Sequence, residues 1–114
     1  MNICSYKTSV WLGIFVVEVI IMDVNLKAVS MFKAFGDETR LKIINIIQND
    51  SLCVSEICEK VGMKQSAVSH QLQILRTNGI VKYEKKGKEV YYCLDDDHIK
   101  TIIKTMYDHI SHHE

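Results

Sequence analysis

The sequence predicts a mainly α-helical domain carrying one β-hairpin. Three observations carry that prediction. Two short helical segments are joined by a four-residue turn containing glycine, around Gly62. Two stretches rich in β-branched and aromatic residues then flank Lys85-Lys86-Gly87-Lys88. A helical period of apolar residues returns from His98 to the end of the chain.

The chain has 114 residues, 25% charged and 47% hydrophobic. That length suits one domain, burying about two-thirds of its unfolded surface, and the composition excludes a fibrous or disordered chain. Fourteen Lys and Arg balance fourteen Asp and Glu. The zero is a sum, so a nucleic-acid binder is judged from how the charges are distributed. Cysteines at positions 4, 53, 58 and 93 form no CxxC pair. They exclude a disulfide framework or a four-thiolate zinc module and are expected as reduced thiols in a cytoplasmic protein.

The first element is an apolar run from Val10 to Met22, preceded by Lys7 and interrupted by Glu18. It falls short of the ~20 residues that cross a bilayer, so no membrane association is expected. The carboxylate and the lack of a small-x-small site after the run argue against a secretory signal. Residues 1–21 are expected as an extension upstream of the true start, or as a loosely attached helix or strand. The working domain is expected over 22–114.

From Asn25, the residues Leu26, Val29, Met31, Phe32 and Phe35 line one broad face of a helix. Gly36 is expected to end it as a left-handed residue. Asp37 then caps a second helix in which Leu41, Ile43, Ile44, Ile46 and Ile47 are apolar nearly all round, which assigns it to the centre of the domain. Asn49-Asp50-Ser51 breaks the pattern. A short helix follows over Val54 to Val61, stopped by Gly62, and another over Gln65 to Thr77, with Val68, Leu72 and Leu75 inward and Asn78-Gly79 as its stop. Strands over Ile80 to Glu84 and Glu89 to Leu94 complete a winged helix-turn-helix.

Charge is unevenly placed along these elements. From Lys64 to Lys88 six basic residues meet only Glu84, a net of +5, whereas from Tyr91 onward two lysines meet five acidic residues. Lys85, Lys86 and Lys88 at a hairpin tip suit phosphate contact, because each cation at the backbone releases a condensed counterion; lysine there also blocks edge pairing. In a helix-turn-helix the second helix enters the major groove. Lys64, Gln65, Ser66, Ser69 and His70 are then the candidate DNA contacts, with Gln able to pair with adenine and Ser with either partner. His70 reads equally as a helix-surface residue packed on its neighbour. One recognition helix reads few base pairs, so specific binding to double-stranded operator DNA calls for a homodimer.

In the last helix, His98 to Ser111, the residues Ile99, Ile102, Ile103, Met106 and Ile110 form an apolar stripe. Asp96 and His98 open this helix, and His109 and His112 close it, with His113 as the alternate. His98 and His109 share a face but stand about 16 Å apart along it, too far for one ion. Two copies packed antiparallel across a two-fold axis bring the start of one helix beside the end of the other, giving two equivalent sites per dimer. Three imidazoles and a carboxylate suit Zn2+ or Co2+. Asp at a helix start and His near its end are also ordinary capping and dipole partners.

The chain at this point resembles the ArsR/SmtB family of winged-helix metal-responsive repressors, over about Met22 to His113. The resemblance rests on Phe35-Gly36-Asp37-Glu38-Thr39-Arg40-Leu41, on Gln65-Ser66-Ala67-Val68-Ser69-His70-Gln71-Leu72, on Gly87-Lys88-Glu89-Val90-Tyr91-Tyr92, and on the Asp96, His98, His109, His112 pattern. It implies a homodimer that holds operator DNA when metal-free and releases it on binding zinc or cobalt, derepressing metal-resistance or efflux genes. His109 is the natural transmitter, since its second ring nitrogen can bond toward the DNA-reading half.

Members that sense soft metals or arsenite carry a Cys-Val-Cys stretch where this chain reads Cys53-Val54-Ser55, with Cys58 beyond it. Cys53 and Cys58, with Cys4 as a third thiolate, are therefore secondary metal candidates for arsenite or cadmium; the plain alternative for Cys58 is a small buried hydrophobe. Lys64 stands where the family often places a Ser cap. A metal-independent repressor or a structural zinc dimer would use nearly the same residues. No nucleophile with a positioned base stands out, so no enzyme is expected.

Overall fold

The computed structural model describes residues 11–113. Its elements are α1 (Trp11–Phe35), α2 (Glu38–Ile47), β1 (Leu52–Cys53), α3 (Val54–Val61), α4 (Gln65–Thr77), β2 (Val81–Lys86), β3 (Glu89–Leu94) and α5 (Asp97–His112). Cys4 and Lys7 lie outside the described residues. α1 runs from Trp11 to Phe35 without a break, so the expected boundary at 21/22 falls inside a helix.

Gly36 does not end α1 in the left-handed way expected, since positive φ among the glycines belongs to Gly62, Gly79 and Gly87. Its amide still donates to Phe32 O at 2.9 Å, and a Cβ there would meet that oxygen at 3.3 Å. The chain turns instead at Asp37, whose extended backbone (φ −118°, ψ 131°) lets its carboxylate accept from the Arg40 amide at 3.0 Å. One Asp thus ends the approach from α1 and caps α2.

α2 lies at the centre, with Ile43 and Ile44 fully buried and Ile47 nearly so. Around it pack Ile57 and Val61 of α3, Val68, Leu72 and Leu75 of α4, Ile80 and Val81, Leu94, and Ile99 and Ile103 of α5. Burial of each such side chain contributes about 1.5–3 kcal/mol, which makes this cluster the main source of stability. α3 and α4 are joined by Gly62-Met63-Lys64, three residues rather than four; Gly62 closes α3 at φ 77°, with its amide on Cys58 O at 2.8 Å.

The sheet has the order β1-β3-β2, antiparallel throughout, with Val81 opposite Leu94 and Lys86 opposite Glu89. The wing turn is therefore Gly87-Lys88, and Lys85 and Lys86 belong to β2. Only Val81 of β2 is buried, so the wing projects into solvent. β1, unforeseen from the sequence, pairs Leu52 with Tyr92 and Cys53 with Tyr91.

Candidate DNA interface and metal centre

α4 buries Val68, Leu72 and Leu75 and turns the opposite face outward. On that face Gln65, Ser66, Ser69 and His70 are all exposed. They occupy the first two turns of the helix, the part that reaches base edges when a helix of this type enters a major groove. Lys64 is the N-cap residue; its ammonium has no acceptor and cannot cap the helix, and the side chain is exposed. Lys85, Lys86 and Lys88 are exposed on the wing.

Aromatic contacts fix the wing relative to α4. The Arg76 guanidinium, in the last turn of α4, lies 4.7 Å from the ring centre of Tyr83 on β2, and Tyr83 packs on Tyr92 at 5.9 Å. Lys86 Nζ stands 5.5 Å above the Tyr91 ring. Sequence reading places these rings on strands without pairing them, because cross-strand partners depend on the hairpin register.

Arg40 was likewise legible only as part of a motif. Its guanidinium donates from Nε to Ala34 O at 2.9 Å and from Nη2 to Lys33 O at 3.3 Å. Nη1 donates to Gln71 Oε1 on α4 at 2.9 Å, and Asp37 Oδ2 lies 4.0 Å away. One side chain thus bridges the end of α1, the start of α2 and the middle of α4.

At the start of α5, Asp96 Oδ1 accepts from the Ile99 amide at 3.1 Å and Asp96 Oδ2 pairs with His98 Nδ1 at 3.2 Å. The bond from His98, and after it the Ile99 amide, hold the Asp96 carboxyl below its ordinary pKa. An ionised carboxylate only accepts, so Nδ1 is the donor in this bond and Nε2 is the ring nitrogen that Asp96 does not engage. His98 is almost fully exposed. His109, His112 and His113 are also exposed at the far end, with the His109 and His113 rings 4.5 Å apart. Among the described residues no group of three or more His, Cys, Asp or Glu comes together within one chain.

The donor set fits a borderline cation: imidazole nitrogens and a carboxylate, all reachable from solvent. The apolar stripe of α5 divides in two. Ile99 and Ile103 enter the core, while Ile102 and Ile110 remain exposed, as do Met22, Leu26, Val29 and Phe32 of α1. An apolar depression of about 280 Å³ between the helices is lined by Ala28, Met31, Phe32, Phe35 and Ile102. No helix among the described residues is long and apolar enough to cross a membrane.

Cys53, Cys58 and Cys93 are free thiols. Cys53 is buried and its thiol donates to Glu56 Oε1 at 3.1 Å, while the Cys53 amide donates to the same oxygen at 3.1 Å. Those two bonds, the thiol's first, hold the Glu56 carboxyl below its ordinary pKa. Cys58 packs half-buried against the core.

Residues 37–83 match the model of a family described as bacterial regulatory protein, arsR family. A transcriptional repressor SmtB homolog of Synechocystis sp. is 36% identical over 93 residues, 82% of this chain and 70% of that protein. The uncharacterized HTH-type transcriptional regulator MJ1325 of Methanocaldococcus jannaschii is 46% identical over 79 residues, 68% of this chain and 89% of its own. A cadmium resistance transcriptional regulatory protein CadC homolog of Staphylococcus aureus is 38% identical over 81 residues, 70% and 67% of the two chains. Among solved structures, HlyU from Vibrio cholerae superposes with a TM-score of 0.68 at 32% identity, covering 74% of this chain and 91% of that one.

Proposed function

The chain belongs to the ArsR family of bacterial winged-helix regulatory proteins, and from that premise we propose that it is a metal-responsive transcriptional repressor acting as a homodimer on operator DNA. The observation that carries the metal reading is the placement of two solvent-facing ligand pairs at opposite ends of α5, a helix whose outer apolar face has no cover among the described residues. Residues Ile102 and Ile110, with Phe32, Val29 and Leu26 of α1, supply the apolar area that a two-fold contact would bury.

In such a dimer Asp96 and His98 meet the partner subunit's His109 and the partner subunit's His112. Zinc or cobalt would supply a cationic cross-link between the two copies. His98 offers Nε2 as it stands, with Asp96 holding the ring; direct ligation by Asp96 Oδ2 requires its bond to His98 to open. His113, whose ring lies against His109, is the alternate donor.

Lys64, Lys85, Lys86 and Lys88 bind phosphates, and Gln65, Ser66, Ser69 and His70 read bases. Metal releases the operator only if it binds the low-affinity arrangement of the dimer more tightly, and DNA then weakens metal binding by the same factor. His109 passes the change toward the DNA-reading half through the ring nitrogen not used for metal.

The cadmium-resistance relative supports a second reading, in which Cys53 and Cys58 take a soft metal or arsenite. Against it, the Cys53 thiol is committed to Glu56. The test titrates zinc into the protein bound to its own promoter DNA, with Asp96, His98, His109 and His112 each changed to Ala. Zinc-driven release that these changes abolish is expected. Release that survives them but disappears on Cys53→Ser transfers the site to the thiols, and DNA binding indifferent to every metal overturns the sensor.

A further inference from the structure

We propose that Arg40 and Gln71 act as a strut that sets the angle between α1 and the recognition helix α4, and so selects the half-site spacing that the dimer accepts; this rests on the operator-binding reading above. Arg40 is a positioning residue and acts without touching DNA.

The geometry points to more than a helix cap. The last carbonyls of α1 have no partners within the helix, and the Arg40 bonds to Lys33 O and Ala34 O satisfy two of them. That much needs only two of the five guanidinium donors. The remaining nitrogen, Nη1, reaches across to Gln71 Oε1, linking positions 31 residues apart. The guanidinium is planar and rigid, so its bonds to α1 and to α4 fix each other's direction in a way a lysine could not. The side chain is only 16% exposed, which shields these bonds from competing water.

Both ends of the strut sit beside functional surface. Phe32 of α1, 74% exposed, immediately precedes Lys33, whose carbonyl Arg40 holds. Gln71 immediately follows His70 on α4. A small rotation of α4 against α1 shifts the base-reading residues relative to the two-fold axis, and the symmetry doubles the error between half-sites. One base pair corresponds to about 3.4 Å of axial rise, so the link between these helices governs spacing directly.

The test uses the full chain and duplexes enriched from a random-sequence pool by the wild-type protein. Those duplexes are compared with versions carrying one base pair inserted or removed at the centre. Wild type is expected to prefer the parent spacing by about tenfold or more. Gln71→Leu, which leaves the caps on Lys33 and Ala34 in place, is expected to cut that ratio below about threefold, with sedimentation unchanged and cooperative thermal unfolding retained at a lower midpoint. Gln71→Glu keeps an acceptor for Nη1 and is expected to retain the ratio, while binding all three duplexes more weakly. Arg40→Lys is expected to lose the ratio with Gln71→Leu, and if it does not fold the two Gln71 variants decide. A wild-type spacing preference in Gln71→Leu, whether or not that variant binds all three duplexes more weakly, overturns the proposal. A wild-type chain that enriches no sequence overturns the operator reading and this inference with it.

Discussion

Asp96 holds His98 with one carboxylate oxygen, 3.2 Å from Nδ1, while its other oxygen caps α5 through the Ile99 amide. The same carboxylate therefore serves the fold and the proposed metal site, and the two roles separate by substitution. Asn caps a helix about as well as Asp. Asp96→Asn is expected to keep the thermal unfolding midpoint while weakening zinc binding by about 10–100-fold. Asp96→Ala is expected to lower both. Calorimetric zinc titration beside thermal unfolding checks this, and unchanged zinc affinity in both variants would remove Asp96 from the site.

Phe32 and Ile102 line the apolar depression between α1 and α5, and Phe32 makes little contact with its own core. Phe32→Glu should leave the monomer folded, because an exposed side chain is replaced, yet place a charge in the proposed dimer contact. Sedimentation is expected to show monomer at micromolar concentration where wild type is dimeric, with operator affinity reduced at least tenfold. A dimeric Phe32→Glu would relocate the interface.

Removal of the wing cations tests the phosphate assignment through salt rather than through affinity alone. Each neutralised phosphate adds about 0.9 to the slope of log affinity against log salt. Lys85→Ala, Lys86→Ala and Lys88→Ala are each expected to lower that slope by about 1 per wing, and so by about 2 in a homodimer, equally for all sequences. Gln65→Ala is expected instead to leave the slope and relax base preference. A wing variant with an unaltered slope does not contact phosphate.

Glu56 accepts from the thiol and the amide of Cys53, which depresses its carboxyl pKa in the folded chain. A depressed carboxylate adds stability above its unfolded pKa of about 4.3 and loses it as pH falls through the folded value. Wild type is therefore expected to exceed Glu56→Gln in thermal midpoint at pH 7, with the gap closing below about pH 4.5. Unfolding curves from pH 7 to pH 3 check the sign; a gap that is constant with pH contradicts it.

Much of this architecture was legible in the chain because its signals are local. Asp37 before an isoleucine-rich period, Gly62 after Val61, and β-branched residues on either side of Gly87 each specify backbone within a few residues. The winged helix-turn-helix and the basic and acidic halves follow from such signals. So does the separation of Asp96 and His98 from His109 and His112 by the rise of a single helix.

Other features depend on partners distant in sequence, where periodicity is silent. Gly36 looked like a left-handed stop, yet the turn belongs to Asp37, beside an Arg40 that binds α1 and α4 together. The two-residue β1 has too few residues to signal itself and exists because β3 offers an edge. The α5 stripe marked five apolar positions, but α2 and the rest of the core determine that Ile99 and Ile103 are covered while Ile102 and Ile110 are not. Pattern alone assigns a residue to a face of its own helix. Which neighbour covers that face, or leaves it open for a second copy, is set by packing among elements far apart along the chain.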